Sequence, residues 1–176
     1  MLRRSVKYPF EPKSTAYLEP GQFWALPLSD GRYGCGQVLA VRPAIPGDPN
    51  LPLSSRVFLA GVLDWVGASP PSAATIEGRD ILAYGNAHIL AIRESGGQIL
   101  GVGEVPDDLY KVRTTAIGGE VYQGWNPVKL DPGQAISDLS TLSTWGFNVA
   151  HNLAEMLFVE KREIIRSGPN RGYFGS

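Results

Sequence analysis

Two β-prone segments that fold back on each other at an Asp-Gly pair constrain this chain more than any other feature. The segments span residues 22–28 and 32–41, and Ser29-Asp30-Gly31 lies between them. An Asp-Gly pair in this position is among the strongest hairpin signals, because both central residues of a type I′ turn need φ > 0. We therefore predict an antiparallel hairpin and, built on it, a sheet that starts early in the chain.

The second of these segments alternates between two faces. Tyr33, Cys35, Gln37, Leu39 and Val41 fall on one face, and Gly34, Gly36, Val38 and Ala40 fall on the other. Glycine inside a strand permits tight bends and the close approach of a neighbouring backbone. The spacing of Gly31, Gly34 and Gly36 also resembles a phosphate-binding loop, but such loops open a helix, and no Gly-Lys-Ser/Thr follows here. Strand curvature is the favoured interpretation.

Turn-forming residues are frequent along the whole chain. Glycine and proline account for 21 and 14 of the 176 residues, which favours short strands over long helices. Apolar residues recur at helical spacing from Phe147 to Val159, with Ser143 or Thr144 as a cap and Trp145 packed beneath the helix start. Ser72 is predicted to cap a short helix over 69–77. Further strands are predicted over 57–65, 81–84, 87–93, 98–105 and 115–122.

These elements define one β-rich domain. At 176 residues the chain is long enough to bury a core without disulfides or metals. We predict a mainly β (α+β) fold, either a strongly bent antiparallel sheet or a small SH3-like barrel, with one C-terminal helix packed on it. Within the single domain 1–176 we expect an irregular lead-in over 1–18, a proline-rich loop over 42–56, and a flexible tail over 167–176.

Charge and cysteine content narrow the class of protein. The 16 basic and 17 acidic side chains leave a net charge of −1, whereas strong nucleic-acid binders carry a basic excess that neutralises phosphates. Cys35 is the single cysteine, which favours a reducing cytoplasm over secretion. Residues 1–7 lead into no signal-peptide core, and no stretch approaches the 18 or so apolar residues of a membrane span. We expect a soluble, cytoplasmic protein with neither a membrane nor a nucleic-acid partner.

The residues with catalytic chemistry form no recognised signature. Cys35 would be a nucleophile only beside a base, and a free cysteine is among the most buried residue types. His151 and Glu155 lie four residues apart, a spacing that places two metal ligands on one helix face, but no third ligand is visible and an ordinary surface pair is the simpler interpretation. His88 is interpreted as a satisfied strand histidine. We therefore expect no enzyme activity, no metal and no cofactor.

The residues suited to binding lie in the turn-rich middle of the chain. Asp107 and Asp108 precede Tyr110, and acidic groups beside an aromatic suit a basic partner, although a solvated acidic loop is the alternative. Trp125 also lies in a turn-rich stretch, and tryptophan is enriched at interface hot spots. The predicted strands assign the two remaining tryptophans, Trp24 and Trp65, to the core.

The opening of the chain resembles immunity family 26 of bacterial polymorphic toxin systems. That family begins with a glycine, an apolar strand that ends in proline, an Asp-Gly turn, an aromatic, and Gly-x-Gly in the second strand. The late segment Thr144-Trp145-Gly146-Phe147-Asn148, followed by a helix, is similar to the family's ending. The positions that match the opening in order are Gly21, Pro27, Asp30, Gly31, Tyr33, Gly34 and Gly36.

The resemblance implies an antidote that binds a cognate toxin domain and blocks its active site or its substrate. Toxins of that family are often nucleases with basic clefts, so the implied contact residues are Asp107, Asp108, Tyr110 and Trp125. Two other classes stay open: a small nucleic-acid-binding β-barrel whose exposed aromatics and arginines stack on bases, and a hydrolase that uses Cys35 with a histidine. The oligomeric state also stays open.

Overall fold

The computed structural model describes residues 6–41, 56–105 and 144–162 without a break, and shorter stretches at 113–115, 121–123, 126–127, 129–130, 132–133, 135 and 140–141. The strands in these residues are β1 (Gln22–Pro27), β2 (Tyr33–Val41), β3 (Val57–Gly67), β4 (Ile81–His88), β5 (Ile99–Val102), β6 (Arg113–Thr115), β7 (Val121–Gln123), β8 (Asn126–Pro127), β9 (Ser140–Thr141) and β10 (Thr144–Trp145). The helices are α1 (Ala73–Ile76), α2 (Leu90–Arg93) and α3 (Val149–Ala154), and a 3-10 turn lies at Thr15–Tyr17.

One open sheet organises the molecule. Its strand order is β10-β4-β3-β2-β1-β5, in which β4, β3, β2, β1 and β5 are antiparallel neighbours and β10 runs parallel to β4. Strands β10 and β5 form its two edges, so the sheet is not closed. The antiparallel-sheet form of the mainly β prediction is therefore confirmed, and the barrel form is not. A smaller sheet has the order β8-β7-β6-β9.

The predicted hairpin is confirmed, but its turn differs from the two-residue type I′ geometry. Leu28 N–H donates to the Arg32 carbonyl at 2.8 Å, and Gly31 N–H donates to the Leu28 carbonyl at 3.0 Å. Gly31 has a φ of 84°, whereas Asp30 has a negative φ. This is a three-residue loop, in which only the last position needs positive φ. The Asp30 carboxylate instead accepts a hydrogen bond from Arg32 N–H at 3.0 Å.

Irregular pairing between β2 and β3 bends the sheet and changes which face a side chain occupies. The register shifts between Gly34 and Gly36 and again between Val38 and Ala40. A bulge adds one residue to a strand, and a one-residue shift moves every later side chain to the opposite face. The predicted alternation therefore holds up to Leu39 and is wrong beyond it, because Val41 packs with the cluster that contains Val38.

Both faces of the main sheet carry buried side chains. The first face holds the larger cluster, which includes Trp24, Leu26, Val38, Phe58, Val62, Ala87 and Trp145, together with Ala150 and Leu153 of the C-terminal helix. The second face holds two smaller clusters, Phe23, Cys35, Leu63, Trp65 and Ile76 in one and Leu39 and Leu59 in the other. The prediction that Trp24 and Trp65 belong to the core is confirmed.

The long C-terminal helix is confirmed as the element that covers the first face. It comprises α3 and a π-helical turn at Glu155–Val159, so it starts two residues later than the predicted Phe147. Trp145 lies in β10 before the helix, and it packs in the same buried cluster as Ala150. No helix among the described residues is both long enough and apolar enough to cross a membrane.

Of the other predicted strands and helices, some are confirmed and some are wrong. Strand β3 and the short helix α1 are confirmed, and the Ser72 side chain caps α1 by accepting from Thr75 N–H. The predicted strand over 87–93 is wrong, because β4 continues to His88 and α2 follows it. Strand β5 forms within 98–105, but its partner is β1 and not the preceding segment. The proline-rich loop up to 55 and the tail from 167 lie outside the described residues.

Candidate binding surface

Two glycines of the main sheet, one in β2 and one in β4, receive tryptophan rings. Trp24 is the cross-strand partner of Gly36, and a Cβ added to Gly36 would overlap the Trp24 indole. Gly85 of β4 receives the Trp145 indole in the same way. The Trp24 ring is fixed further, because its N–H donates to Ser95 Oγ at 3.1 Å. The sequence interpretation of strand curvature is therefore incomplete, since the tryptophan rings occupy the space that a Cβ at these glycines would need.

The other residues that match the family opening hold the hairpin to its neighbours. Gly21 has a φ of 92°; its N–H donates to the Val38 carbonyl and its carbonyl accepts from Gly103 N–H, each at 2.8 Å. It therefore joins β1, β2 and β5 at one point. Gly34 faces Ala154 of the C-terminal helix, where an added Cβ would come within 3.2 Å of the Ala154 Cβ. Tyr33 packs on the second face.

A polar latch ties the hairpin turn to the C-terminal helix. We define it as Ser29, Arg32, His151 and Glu155. Glu155 accepts hydrogen bonds from the Ser29 N–H and from Ser29 Oγ, the latter at 2.9 Å. His151 Nε2 lies 2.8 Å from the Pro27 carbonyl oxygen, and Arg32 donates to the Phe158 carbonyl at 2.8 Å. The His151–Glu155 pair, 3.7 Å apart, thus serves a structural contact.

The candidate nucleophile lies inside the sheet. Cys35 is fully buried on the second face, and its thiol donates to the Gly36 carbonyl at 3.5 Å. Burial raises the pKa of this thiol far above its ordinary value, because an apolar environment disfavours the thiolate. Neither histidine is bonded to it, since His88 Nδ1 accepts from Leu90 N–H and His151 contacts Pro27. Among the described residues, no group of three or more His, Cys, Asp or Glu side chains is arranged to hold a metal ion.

The four residues predicted to contact a partner, Asp107, Asp108, Tyr110 and Trp125, lie outside the described residues. The segment that leads to the first three is well defined. Gln37, buried on the second face, donates its side-chain amide to the Glu104 carbonyl at 3.0 Å. Val105 and Tyr84 pack against Leu39 and Leu59. The acidic sequence therefore begins over the second face of the sheet.

Sequence reasoning missed an aromatic and cationic patch at the C-terminal end of β4. We define the β4 patch as Arg56, His88 and Phe147. Phe147 is 49% exposed, although its helical spacing had placed it in the core, because residues 144–145 pair with β4 instead of starting the helix. Its ring lies 5.6 Å from the His88 ring at an angle of 59°. Arg56 precedes β3 and is exposed, next to the strand position opposite His88.

The protonation state of His88 is set by its surroundings. The pKa of His88 is lowered, first by partial burial and then by the positive charge of Arg56. Since Nδ1 accepts the hydrogen bond from Leu90 N–H at 3.1 Å, the neutral ring carries its proton on Nε2. On the same face of β4, the side-chain oxygen Oδ1 of Asn86 is buried without a hydrogen-bond partner. Among the described residues, Gln37 Oε1 is the one other buried side-chain nitrogen or oxygen that lacks a partner. The patch thus combines an exposed aromatic ring with an imidazole whose Nδ1 is bound by Leu90 N–H.

The fold and these sites define a class: an open, mostly antiparallel β-sheet protein. Among the described residues, Cys35 and His151 are held in contacts within the fold, and Phe147 is exposed beside the C-terminal end of β4. Comparisons of the chain with protein-family models, with curated proteins and with solved structures found no match.

Proposed function

We propose that this chain is an immunity protein that binds and neutralises the toxin domain of a bacterial polymorphic toxin in the cytoplasm of the producing cell. The proposal rests on the matching residues Gly21 to Gly36 and Trp145, and on a site chemistry that suits binding. A toxin that acts on nucleic acid is the favoured partner, since a basic cleft complements the acidic residues Asp107 and Asp108.

The observation that carries the proposal is a contrast between reactive side chains that are bonded within the fold and an aromatic side chain that is exposed. The Cys35 thiol and the His151 imidazole are held in contacts within the fold, so in the described part of the chain they support structure. Phe147 stays exposed in the turn after β10, where its ring contacts the His88 ring. A rigid sheet that presents fixed side chains binds with little loss of conformational entropy, which favours a protein interface.

The described anchor of the acidic segment supports a role for that segment in binding. The Gln37 amide and the Leu39–Leu59 cluster hold Glu104 and Val105 over the second face. Carboxylates raise the association rate through long-range attraction to a basic partner. We therefore keep Asp107, Asp108, Tyr110 and Trp125 as the proposed contact residues, with the acidic pair providing charge steering.

The experiment first asks whether a gene for a large secreted protein with a C-terminal toxin domain lies directly upstream of the gene for this chain; such a domain is then paired with the chain, and its absence would count against the proposal. We expect that domain to stop growth when it is expressed alone in the cytoplasm, and co-expression of the chain to restore growth. The purified pair should form a complex with a Kd of about 10⁻⁷ M or lower, the range of specific protein complexes. If the chain neither protects the cell nor binds the purified domain in calorimetry, the proposal is wrong.

A charge reversal tests the proposed contact residues. We expect the double change Asp107→Lys and Asp108→Lys to weaken binding at least tenfold and to slow association most at low salt. The matched control is the double change Asp64→Lys and Asp80→Lys, which alters the net charge equally at two exposed carboxylates near the start of β4. Equal affinities of the two double variants would remove the acidic pair from the interface.

The alternative function is a nucleic-acid-binding module. Its signature is binding to a single-stranded oligonucleotide that weakens steeply with salt, because each phosphate contact releases counterions. We expect no such binding from a chain with a net charge of −1. Salt-dependent binding of an oligo-dT 20-mer at micromolar concentration would favour the alternative over the immunity proposal.

A further inference from the structure

We propose that Asp30 is a site of spontaneous covalent modification, at which its carboxyl group condenses with the Gly31 amide and the chain rearranges to isoaspartate, and that Arg32 slows this reaction while it is bound to the C-terminal helix. No partner takes part, so the modification goes beyond the proposed function. Asp30 is the one aspartate in the sequence that precedes a glycine, and no asparagine precedes one.

The conversion needs only these two residues and water. The Gly31 nitrogen attacks Asp30 Cγ, a C–N bond forms, and the carboxyl hydroxyl leaves with the amide proton as water, which gives a cyclic imide. Water then adds back and breaks one of the two C–N bonds of the imide. Cleavage at Cγ restores aspartate, whereas cleavage at the backbone carbonyl leaves isoaspartate, in which the chain runs through the side chain. Glycine favours the attack because it has no Cβ to hinder it.

Packing does not protect this turn. Asp30 and Gly31 are both exposed, and a Cβ built on Gly31 would meet no atom beyond its chain neighbours within 4 Å. Water therefore has access to the pair, and the surrounding side chains leave room for the imide ring. Any protection of the aspartate must come from its hydrogen bonds.

Arg32 binds both oxygens of the Asp30 carboxylate. Its guanidinium donates to Oδ2 from Nε at 2.7 Å, with Nη2 2.6 Å from the same oxygen, and its backbone N–H donates to Oδ1 at 3.0 Å. The guanidinium bond and then the backbone bond lower the pKa of Asp30, which keeps the group ionised. The carboxylate resists attack because it has no good leaving group. The Gly31 N–H is also engaged, since it donates to the Leu28 carbonyl at 3.0 Å.

The C-terminal helix holds the guanidinium in this position. Arg32 Nη2 also donates to the Phe158 carbonyl at 2.8 Å, and Glu155 accepts two hydrogen bonds from Ser29, the residue before Asp30. A guanidinium presents its donors in a fixed fork, so it bridges a carboxylate and a carbonyl at once. When the polar latch opens, the carboxylate is released, and local openings of this kind require less free energy than global unfolding. The conversion of Asp30 therefore proceeds through the state in which the latch is open.

Peptide mapping of the purified full chain, incubated at mildly acidic pH for several weeks, tests the proposal. Electron-transfer fragmentation distinguishes isoaspartate from aspartate at position 30. We expect isoaspartate to form at least about tenfold more slowly in the folded chain than in the same chain unfolded in guanidinium chloride, because the turn must open first. Arg32→Gln should raise the rate in the folded chain about fivefold, and Arg32→Lys should raise it less, because lysine keeps the charge without the fork. Glu155→Ala leaves the Asp30 contacts in place and should raise the rate about threefold.

The matched control is Arg93→Gln. The side chains of Arg93 and Arg32 are 42% and 39% exposed, and Arg93 is likewise bound to a carboxylate, that of Glu11, at 2.7 Å. Because this exposed pair contributes little to the fold, we expect a rate within about twofold of the unmodified chain. Asp30→Glu should abolish the isoaspartate signal at position 30, since the longer side chain closes the ring far more slowly.

Circular dichroism and the urea midpoint before incubation show that each variant is folded. Equal rates in the folded and the unfolded chain would mean that the turn gives no protection, and the proposal would be wrong. Equal rates in Arg32→Gln and the unmodified chain would also overturn it. If Arg32→Gln does not fold, Arg32→Lys and Glu155→Ala decide: rates above that of the unmodified chain support the protective contact, and unchanged rates contradict it.

Discussion

The two faces of the main sheet differ in how completely their side chains are buried. On the first face, Trp24 and Trp145 lie against glycines of neighbouring strands, and the C-terminal helix covers them. On the second face, burial is complete around Phe23 and Cys35 but only partial along β4, where Tyr84, Asn86 and His88 alternate with the buried residues of the first face. The same strand is therefore a core element on one side and a surface element on the other.

This difference teaches where sequence variation is tolerated. Packed interiors penalise changes in either direction, because a lost methylene leaves a void and an added one forces strain. A partly exposed row accepts substitutions at small cost to the fold, and its side chains are free to serve recognition. Stability should therefore depend on the buried clusters of both faces, and binding on the partly exposed row of β4 and on Phe147.

Substitutions of two phenylalanines, one buried on the first face and one exposed, should show the largest difference in stability between the two regions. Phe58 is fully buried on the first face, with its ring 6.0 Å from the Trp24 ring in an edge-to-face contact. We expect Phe58→Ala to reduce the free energy of unfolding by about 3–5 kcal/mol. Phe147→Ala should reduce it by about 0.5 kcal/mol or less, as for a surface change. Urea denaturation measures both, and similar losses in the two variants would contradict the distinction between the regions.

The ring-on-glycine contact is expected to give the next largest effect. Gly36→Ala places a Cβ in the space that the Trp24 indole occupies, and overpacking of this kind costs about 1–3 kcal/mol. Gly146→Ala is the matched control, because its Cβ would meet only Val149 Cγ2, at an ordinary 3.9 Å.

A double-mutant cycle attributes the cost of Gly36→Ala to the ring. In a Trp24→Phe background the smaller ring leaves room, so the same substitution should cost about 1 kcal/mol less. Additive losses in the cycle would mean that Trp24 does not set the requirement for glycine at position 36.

The sequence could predict those parts of the molecule that depend on neighbouring residues. The Asp-Gly turn, the alternation of β2 up to its bulge, and the Ser72 cap all act within a few positions. The pairing of β5 with β1 joins segments more than 70 residues apart, and no local pattern encodes it. Helix α2 replaced a predicted strand, because His88 Nδ1 satisfies the Leu90 N–H and β4 ends there.

The candidate site shows the same division. Cys35 was assigned to packing from its residue type, and the structure agrees. His151 and Glu155 were assigned to an ordinary helix-surface pair, whereas the structure shows that they bind the hairpin at Pro27 and Ser29. Phe147 was assigned to the helix from its spacing, because the competing β10–β4 contact is not visible in a period of 3.6 residues. The exposed aromatic of the β4 patch therefore needed the fold before it could be recognised.

The polar latch joins the first face to the hairpin and should give an intermediate effect. Glu155→Ala removes the acceptor of both hydrogen bonds from Ser29, and hydrogen bonds to a charged group contribute about 1.5–3 kcal/mol when well formed. Because this site is partly exposed, we expect a loss of about 1 kcal/mol. Glu160→Ala is the control: its ion pair with Arg162 is exposed, so the free energy of unfolding should change by about 0.3 kcal/mol or less. Equal losses would show that the latch contributes nothing beyond a surface ion pair.

The smallest expected effect is a pH dependence of stability that arises from His88, at the C-terminal end of β4. Partial burial and the nearby Arg56 lower the pKa of His88 in the folded state, so between its unfolded value near 6.5 and the lower folded value the unfolded chain binds more protons. The His88 contribution to stability is therefore complete above pH 6.5, falls as the pH drops through this window, and levels off below the folded pKa. For one group the slope of the free energy of unfolding is at most about 1.4 kcal/mol per pH unit.

Protonation of His88 also opposes the acceptor role of Nδ1 toward Leu90 N–H, which links this titration to the start of α2. Urea midpoints from pH 7.5 to 5.0 should fall less in His88→Asn, which keeps an acceptor but does not titrate, than in the unmodified chain. Identical profiles for the two proteins would mean that His88 titrates in the folded state as it does in the unfolded state.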